Sequence, residues 1–231
     1  MTNYRRNFVP GGSYFFTVNL ADRRLQLLTQ QIEPLRAAFR YTQQRHPFTV
    51  EAAVILPEHL HVIWTLPDGD ADFALRWRLI KTEFSRALPK GEQISSSRNG
   101  KNERGIWQRR YWEHKIRDEG DFERHANYVH FNPVKHGHVS RVKDWPYSSF
   151  HRMVLAGVYP EDWAGMRQRR QAISGRDDGY RFAPPILRKS GKSPAARGQK
   201  LIKRFDIDFQ TGLQRQAGPW RASSKLPVTV P

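Results

Sequence analysis

Hydrophobic and polar positions along the chain fall into a short series of alternating and helical segments. Ser13 to Leu20 (SYFFTVNL) is aromatic and β-branched, follows the Pro10-Gly11-Gly12 turn and ends before Ala21-Asp22, so it predicts a buried strand. Through Gln30 to Arg45, Ile32, Leu35 and Phe39 recur at helical spacing, with Pro34 tolerable in a first turn. Phe48 to Leu56 places Phe48, Val50, Ala52, Val54 and Leu56 on one strand face. After Pro57-Glu58, His59 to Leu66 places Leu60, Val62, Trp64 and Leu66 on one face, so the two segments predict a strand pair across a tight turn. Phe73, Trp77, Ile80, Phe84 and Leu88 mark a second helix. Trp107 to Arg117 reads as a fourth strand, and Asp121 to Asn132 as a third helix stopped by Pro133.

The order strand, helix, strand, strand, helix, strand is that of the ferredoxin-like split βαβ arrangement. The expected class is α+β: an antiparallel sheet with helices on one face, plus an added C-terminal helix. Pro89 to Arg104 (PKGEQISSSRNGKNER) has the composition of a long mobile loop.

Charge changes the picture at the C-terminal end. The 231 residues carry 39 Lys plus Arg against 22 Asp plus Glu, a formal +17. Residues 166–231 hold fifteen Lys or Arg against four Asp, a net of +11 that leaves +6 for residues 1–165. We expect a folded domain over 1–165 and a basic, flexible arm over 166–231, the latter also rich in Pro, Gly and Ser. So large an excess of positive charge points to a polyanionic partner. No stretch approaches the roughly 18 consecutive apolar residues of a membrane span, and the first residues lack the apolar core of a secretory signal, so a cytoplasmic, nucleoid-associated protein is expected. With no cysteine in the chain, a disulfide scaffold, a thiolate zinc site and a cysteine nucleophile are all excluded.

Two groups of residues carry chemistry. His59 and His61 stand two apart on a predicted strand, so both imidazoles leave the same face and converge on one point, as a divalent-metal site requires. Tyr128 shares a helix face with His125 and Asn132, away from the apolar stripe of Phe122, Ala126 and Val129. A phenol, with an ordinary pKa near 10, needs a cationic or metal environment to act as a nucleophile, and the histidine pair offers one.

The run Pro57-Glu58-His59-Leu60-His61-Val62-Ile63-Trp64, followed by Tyr128-Val129-His130-Phe131-Asn132-Pro133-Val134-Lys135, resembles the paired motifs of the single-tyrosine HUH transposases. Within them it is most similar to the REP-associated tyrosine transposases, and Trp145-Pro146-Tyr147-Ser148-Ser149-Phe150 resembles the Trp-x-x-Ser-Ser element of that branch. The resemblance spans about residues 4 to 160. It implies a metal-dependent strand transferase that cleaves and rejoins single-stranded DNA at REP-type hairpins. In it His59 and His61 match the metal ligands, Asn132 completes the site, and Tyr128 matches the nucleophile that forms a 5′-phosphotyrosine link. The implied ion is Mg2+ or Mn2+ and the implied state a monomer. Glu58 departs from the Asn or Asp common in similar proteins, and we expect it to face water.

Arg76, Arg78, Lys81 and Arg86 on the second helix, with Arg109, Arg110, Arg117 and Lys135, are candidate phosphate contacts. Trp107, Tyr111 and Trp112 lie among basic residues, a combination suited to stacking unpaired bases. Of the other histidines, His125 shares the tyrosine's helix face, whereas His114, His130 and His136 carry a structural expectation. Two rival readings stand beside the transferase: a nonenzymatic binder of single-stranded or hairpin nucleic acid, and a metal-dependent nuclease that activates water.

Overall fold

The computed structural model describes residues 6–163 apart from positions 93, 95 and 102; the basic arm expected over 166–231 lies outside the described residues. In chain order the elements are β1 (Ser13–Asn19), α1 (Leu27–Gln30), α2 (Ile32–Arg45), β2 (Thr49–Ile55), β3 (His59–Thr65), α3 (Phe73–Ala87), α4 (Ser96–Asn99), β4 (Trp112–Lys115), α5 (Glu119–Lys135), a 3-10 turn at Val142–Asp144 and α6 (Phe150–Leu155). Four strands form one sheet in the order β2-β3-β1-β4, every neighbouring pair antiparallel. This is the expected split βαβ sheet.

Alternation along the strands divides the core in two. Tyr14, Phe16 and Val18 of β1 and Leu60, Val62 and Trp64 of β3 face α2 and α3, where Leu35, Phe39, Phe73, Trp77, Ile80 and Phe84 close a continuous apolar layer. Phe15 and Ile63, on the reverse face, pack with Ala52, Val54 and Leu56 under Ala126 and Val129 of α5. The sheet is therefore sandwiched between the α2/α3 pair and α5.

One face assignment on β2 is corrected. Val50 pairs with Trp64 but Ala52 pairs with Ile63, so the strand bulges at Glu51. One extra residue flips every later side chain to the other face. Val50 thus faces α2/α3 whereas Ala52, Val54 and Leu56 face α5.

The fourth strand is shorter than expected. Leu20 bridges Trp107 and Thr17 pairs with Trp112, so five steps on one chain oppose three on β1. The two surplus residues bow outward, breaking the strand and leaving Arg109 and Arg110 exposed at the sheet edge. Pro89 to Arg104, expected as a mobile loop, contains the single-turn α4. The Arg104 guanidinium bonds the carbonyls of Ser85, Leu88 and Pro89 and the Glu92 carboxylate, anchoring the segment to the end of α3.

Pro133 does not stop the third helix. Asp118 caps its start by accepting from Asp121 N at 2.7 Å, and Gly137, at φ +74°, ends it. Pro133 removes one bond, to the carbonyl four residues back. Burial of Phe131 and Val134 against Val142, Phe150, Tyr159 and Trp163 holds the last turn in place despite that loss.

Candidate metal and tyrosine centre

β3 is a central strand, and its alternation sends His59 and His61 to the α5 face while Leu60 and Val62 enter the opposite core. Both imidazoles are buried, with ring centroids 4.9 Å apart. Each is fixed through Nδ1. His59 Nδ1 lies 2.9 Å from Glu58 Oε1, and His61 Nδ1 lies 2.9 Å from Thr17 Oγ1 on the paired strand β1. Both rings are thereby oriented with Nε2 as the remaining nitrogen. Burial pushes the His59 pKa down against the pull of Glu58, and burial with the neighbouring His59 pushes His61 well below the ordinary range. Two neutral imidazoles at neutral pH are metal-ligand donors.

α5 supplies the other side. The Tyr128 ring lies 5.2 Å from the His61 ring and 6.0 Å from Phe15, and Lys135 Nζ stands 5.1 Å from the centre of the tyrosine ring. Asn132, one turn further on, is fully buried. The face carrying His125, Tyr128 and Asn132 therefore turns toward the sheet rather than away from the apolar stripe, because α5 is buried on both sides through this stretch.

A divalent ion fits these residues. His61 Nε2 is buried without a hydrogen-bond partner, although such groups are normally satisfied, and the Asn132 side chain meets His59. Two imidazole nitrogens and an amide oxygen are donors suited to Mg2+ or Mn2+.

A second histidine-carboxylate group, His114, Asp121 and His125, brings its ligand atoms within 4.8 Å of one another. Here the carboxylate is already engaged: Asp121 takes His114 Nε2 at 2.8 Å, Arg117 Nε at 3.2 Å and Arg124 Nη2 at 3.2 Å. Two guanidiniums on the carboxylate oppose a cation, so this group reads as a brace between β4 and α5.

Of the candidate residues, the structure brings together His59, His61, Tyr128, Asn132 and Lys135. Trp112 borders the group: it is 44% exposed, and its ring lies edge-on to Phe15 at 5.5 Å. Arg117 stays on this side of the sheet, at the start of α5. Arg76, Trp107, Tyr111 and Lys81 are corrected, being buried or bound within the fold. Arg76 is only 1% exposed and its guanidinium is bound to both oxygens of Asp70 and to the carbonyls of Pro47 and Asp72, so it is a structural clamp. Trp107 is buried against Phe84, and Tyr111, packed on the α2/α3 core, has its phenol pushed up to about 12 by burial. Lys81 donates to the Gln108 carbonyl at 2.9 Å and is pushed down to about 8 by burial. Arg78 and Arg86 are exposed on α3, across the sheet from the tyrosine. Arg109 is tied to Glu103. Glu58, expected to face water, instead orients His59 and meets Arg23 at 3.4 Å.

Thr17 and Phe15 are not legible as site residues in the sequence, since their place beside His61 depends on the β1–β3 register. Phe15 lies under the whole group, its ring 5.4 Å from His61 and 4.9 Å from His125.

A His-x-His pair on a central strand of a split βαβ sheet, beneath a helix that presents a tyrosine, is the HUH fold. Similarity to known proteins carries this to a particular family. No protein-family profile matches the chain. A curated protein of Haemophilus influenzae, named as a REP-associated tyrosine transposase, is 51% identical over 166 residues, covering 71% of this chain and 94% of its own length. The REP-associated tyrosine transposase of Escherichia coli K12 is 50% identical over 165 residues, covering 71% and 92%. A solved REP-associated tyrosine transposase bound to a REP hairpin superposes with a TM-score of 0.63 at 45% identity, covering 79% of this chain and 99% of its own. The chain belongs to the REP-associated tyrosine transposases.

Proposed function

We propose that this protein cleaves and rejoins single-stranded DNA at REP-type hairpins, with Tyr128 as the nucleophile. The observation that carries the reading is the meeting of the Tyr128 ring with His61, whose Nε2 is buried and unpartnered, in a chain about half identical to REP-associated tyrosine transposases.

His59, His61 and Asn132 would hold Mg2+ or Mn2+, which when bound polarises the scissile phosphate and offsets charge developing during displacement. Glu58 and Thr17 hold the two imidazoles in orientation. The phenolic oxygen of Tyr128 gives up its proton to water and attacks phosphorus, an oxygen–phosphorus bond forms on the 5′ side of the cut, and the bond to the 3′ oxygen breaks, that oxygen taking up a proton from water to leave a 3′-hydroxyl. The Lys135 ammonium, above the tyrosine ring, contributes positive charge beside the transferring phosphate. Rejoining is the reverse, with a 3′-hydroxyl attacking the phosphotyrosine. Phenol attack also accounts for the aromatic shelf of Phe15 and His61 that holds the ring.

Trp112 is suited to stack an unpaired base beside the centre, and Arg117 and the exposed Arg110 to hold phosphates along the same margin. Arg78, Arg86 and Arg109 are more remote and fit a longer duplex stem. The arm over 166–231 adds sequence-independent attraction for the backbone through its net +11.

Labelled single-stranded hairpin DNA incubated with the protein and Mn2+, Mg2+ or EDTA, then run on a denaturing gel, tests this reading. A metal-dependent, denaturant-resistant protein–DNA band that disappears in Tyr128→Phe is expected. Cleavage that survives the substitution with no such band would assign the nucleophile to water, and intact DNA that is bound but never cut would leave a binding protein.

A further inference from the structure

Chemistry at the centre requires α5 to hold a fixed position over β3, because Tyr128 and Asn132 come from the helix and both histidines from the strand. Apolar packing under Ala126 and Val129 presses the helix onto the sheet, but such contacts are non-directional and set neither its rotation nor its axial position closely. A polar connection on the rear of the helix does. His130 lies midway between Tyr128 and Asn132 in sequence and, at about 100° per residue, points away from both. It is fully buried, and its Nε2 is 2.9 Å from Ser149 Oγ.

Ser149 is itself built into the sheet. Its Oγ accepts from Ala53 N at 2.8 Å, and its own N–H donates to Ala53 O at 2.8 Å. Around it, Ile55 N donates to Tyr147 O at 2.9 Å, Trp145 Nε1 donates to Ile55 O at 3.0 Å, and Arg152 Nη2 donates to the carbonyls of Val50 and Glu51. The Trp145–Ser149 segment thus adds a short strand-like cover to the outer edge of β2, beside the Glu51 bulge. Ala53 pairs with Val62, the residue after His61. An unbroken path runs from His61 on β3 through Ala53 on β2 and the Ser149 hydroxyl to His130 on α5.

We propose that Ser149 and His130 are positioning residues, forming a buried latch that fixes α5 in register with β3 so that Tyr128 and Asn132 meet His59 and His61. The Trp145–Ser149 segment acts through the helix and touches no DNA. The proposal deepens the tyrosine-transfer reading and rests on it for its kinetic consequence, but the docking of α5 is measurable without DNA.

The test uses the full chain with Ser149→Ala, which removes one hydroxyl, and His130→Gln, which keeps a polar side-chain atom near the position of Nε2. Hairpin affinity, single-turnover adduct formation well below each protein's Tm, and amide hydrogen exchange are measured together. For Ser149→Ala the expected result is hairpin affinity within about twofold of wild type, an adduct rate lower by roughly tenfold or more, and faster exchange concentrated in residues 126–134. His130→Gln is expected to recover much of the rate. A folded Ser149→Ala whose adduct rate and α5 exchange match wild type would overturn the latch, as would a lower Tm with no change in rate. Wild-type protein that forms no adduct would sink the tyrosine reading instead. In that event selective loosening of α5 still supports the docking role, and unchanged exchange overturns it.

Discussion

At the residue scale the centre depends on paired restraints, one for each imidazole. Glu58→Gln replaces the carboxylate that orients His59 with an amide that donates as well as accepts. Loss of such an outer partner costs about 10–100-fold in metal affinity. Mn2+ titration of wild type and Glu58→Gln is expected to show a weakening of that order, with hairpin affinity in EDTA unchanged. His61→Ala is expected to abolish the rise in Tm that Mn2+ produces in wild type, since it removes the buried nitrogen that has no protein partner. The shared face of His59 and His61 is legible in the sequence because strand periodicity sets it, whereas the face of Tyr128 is not, because α5 is buried on both sides. Nor is the role of Glu58, because its contact is made in the β2–β3 turn, where neither periodicity applies. Thr17 is hidden because pairing across 44 positions of sequence leaves no local signal. Arg76 misleads for a related reason: charge off the apolar stripe suggests an open surface, whereas Asp70 and two carbonyls enclose it.

At the scale of elements, α5 is held at both sheet edges, by Asp121 against β4 and by His130 through Ser149 against β2. Burial would raise the Asp121 carboxyl, but hydrogen bonds from His114 and Arg117 hold it well below the usual range. A carboxyl depressed in the folded state contributes stability above its unfolded pKa near 4 that is lost as the pH falls through the folded value. His130 adds in the same direction. Burial pushes it down to about 3, so below about pH 6.5 the unfolded chain takes up a proton that the folded chain refuses until near pH 3. Tm measured from pH 7.5 to pH 3 is therefore expected to fall continuously from about pH 6.5. Asp121→Asn is expected to lower Tm at pH 7 and to give a shallower decline below pH 4. Trp145→Phe, which removes the bond to the Ile55 carbonyl, is expected to cost about 1 kcal/mol in denaturant unfolding. Element order is legible because each segment has its own period and its own turn. The failures come where one residue changes the count: the bulge at Glu51 reverses half of β2, and two surplus residues shorten β4. Pro133 fails as a stop because the apolar cluster behind α5 outweighs one missing backbone bond.

For the whole molecule, charge and fold divide the work. The described residues place the tyrosine and the histidine pair within one chain, and no helix among them is long and apolar enough to cross a membrane. Most of the net positive charge instead lies at 166–231, beyond the described residues. A chain ending at residue 165 is expected to form the adduct still at low salt but to bind the hairpin less tightly. Its plot of log affinity against log salt concentration is expected to be shallower than that of the full chain, by roughly 0.7–0.9 for each phosphate that the arm neutralises. An unchanged slope would assign the arm a role other than backbone neutralisation.

The most direct test of the central claim is to locate the covalent bond. Protein incubated with hairpin DNA and Mn2+ is digested with nuclease and protease, and the peptides are weighed by mass spectrometry. Tyrosine transfer predicts a nucleotide-phosphate mass increment on the peptide containing Tyr128, absent in EDTA and absent in Tyr128→Phe. An increment on a different residue, or efficient cleavage with no modified peptide at all, would contradict it.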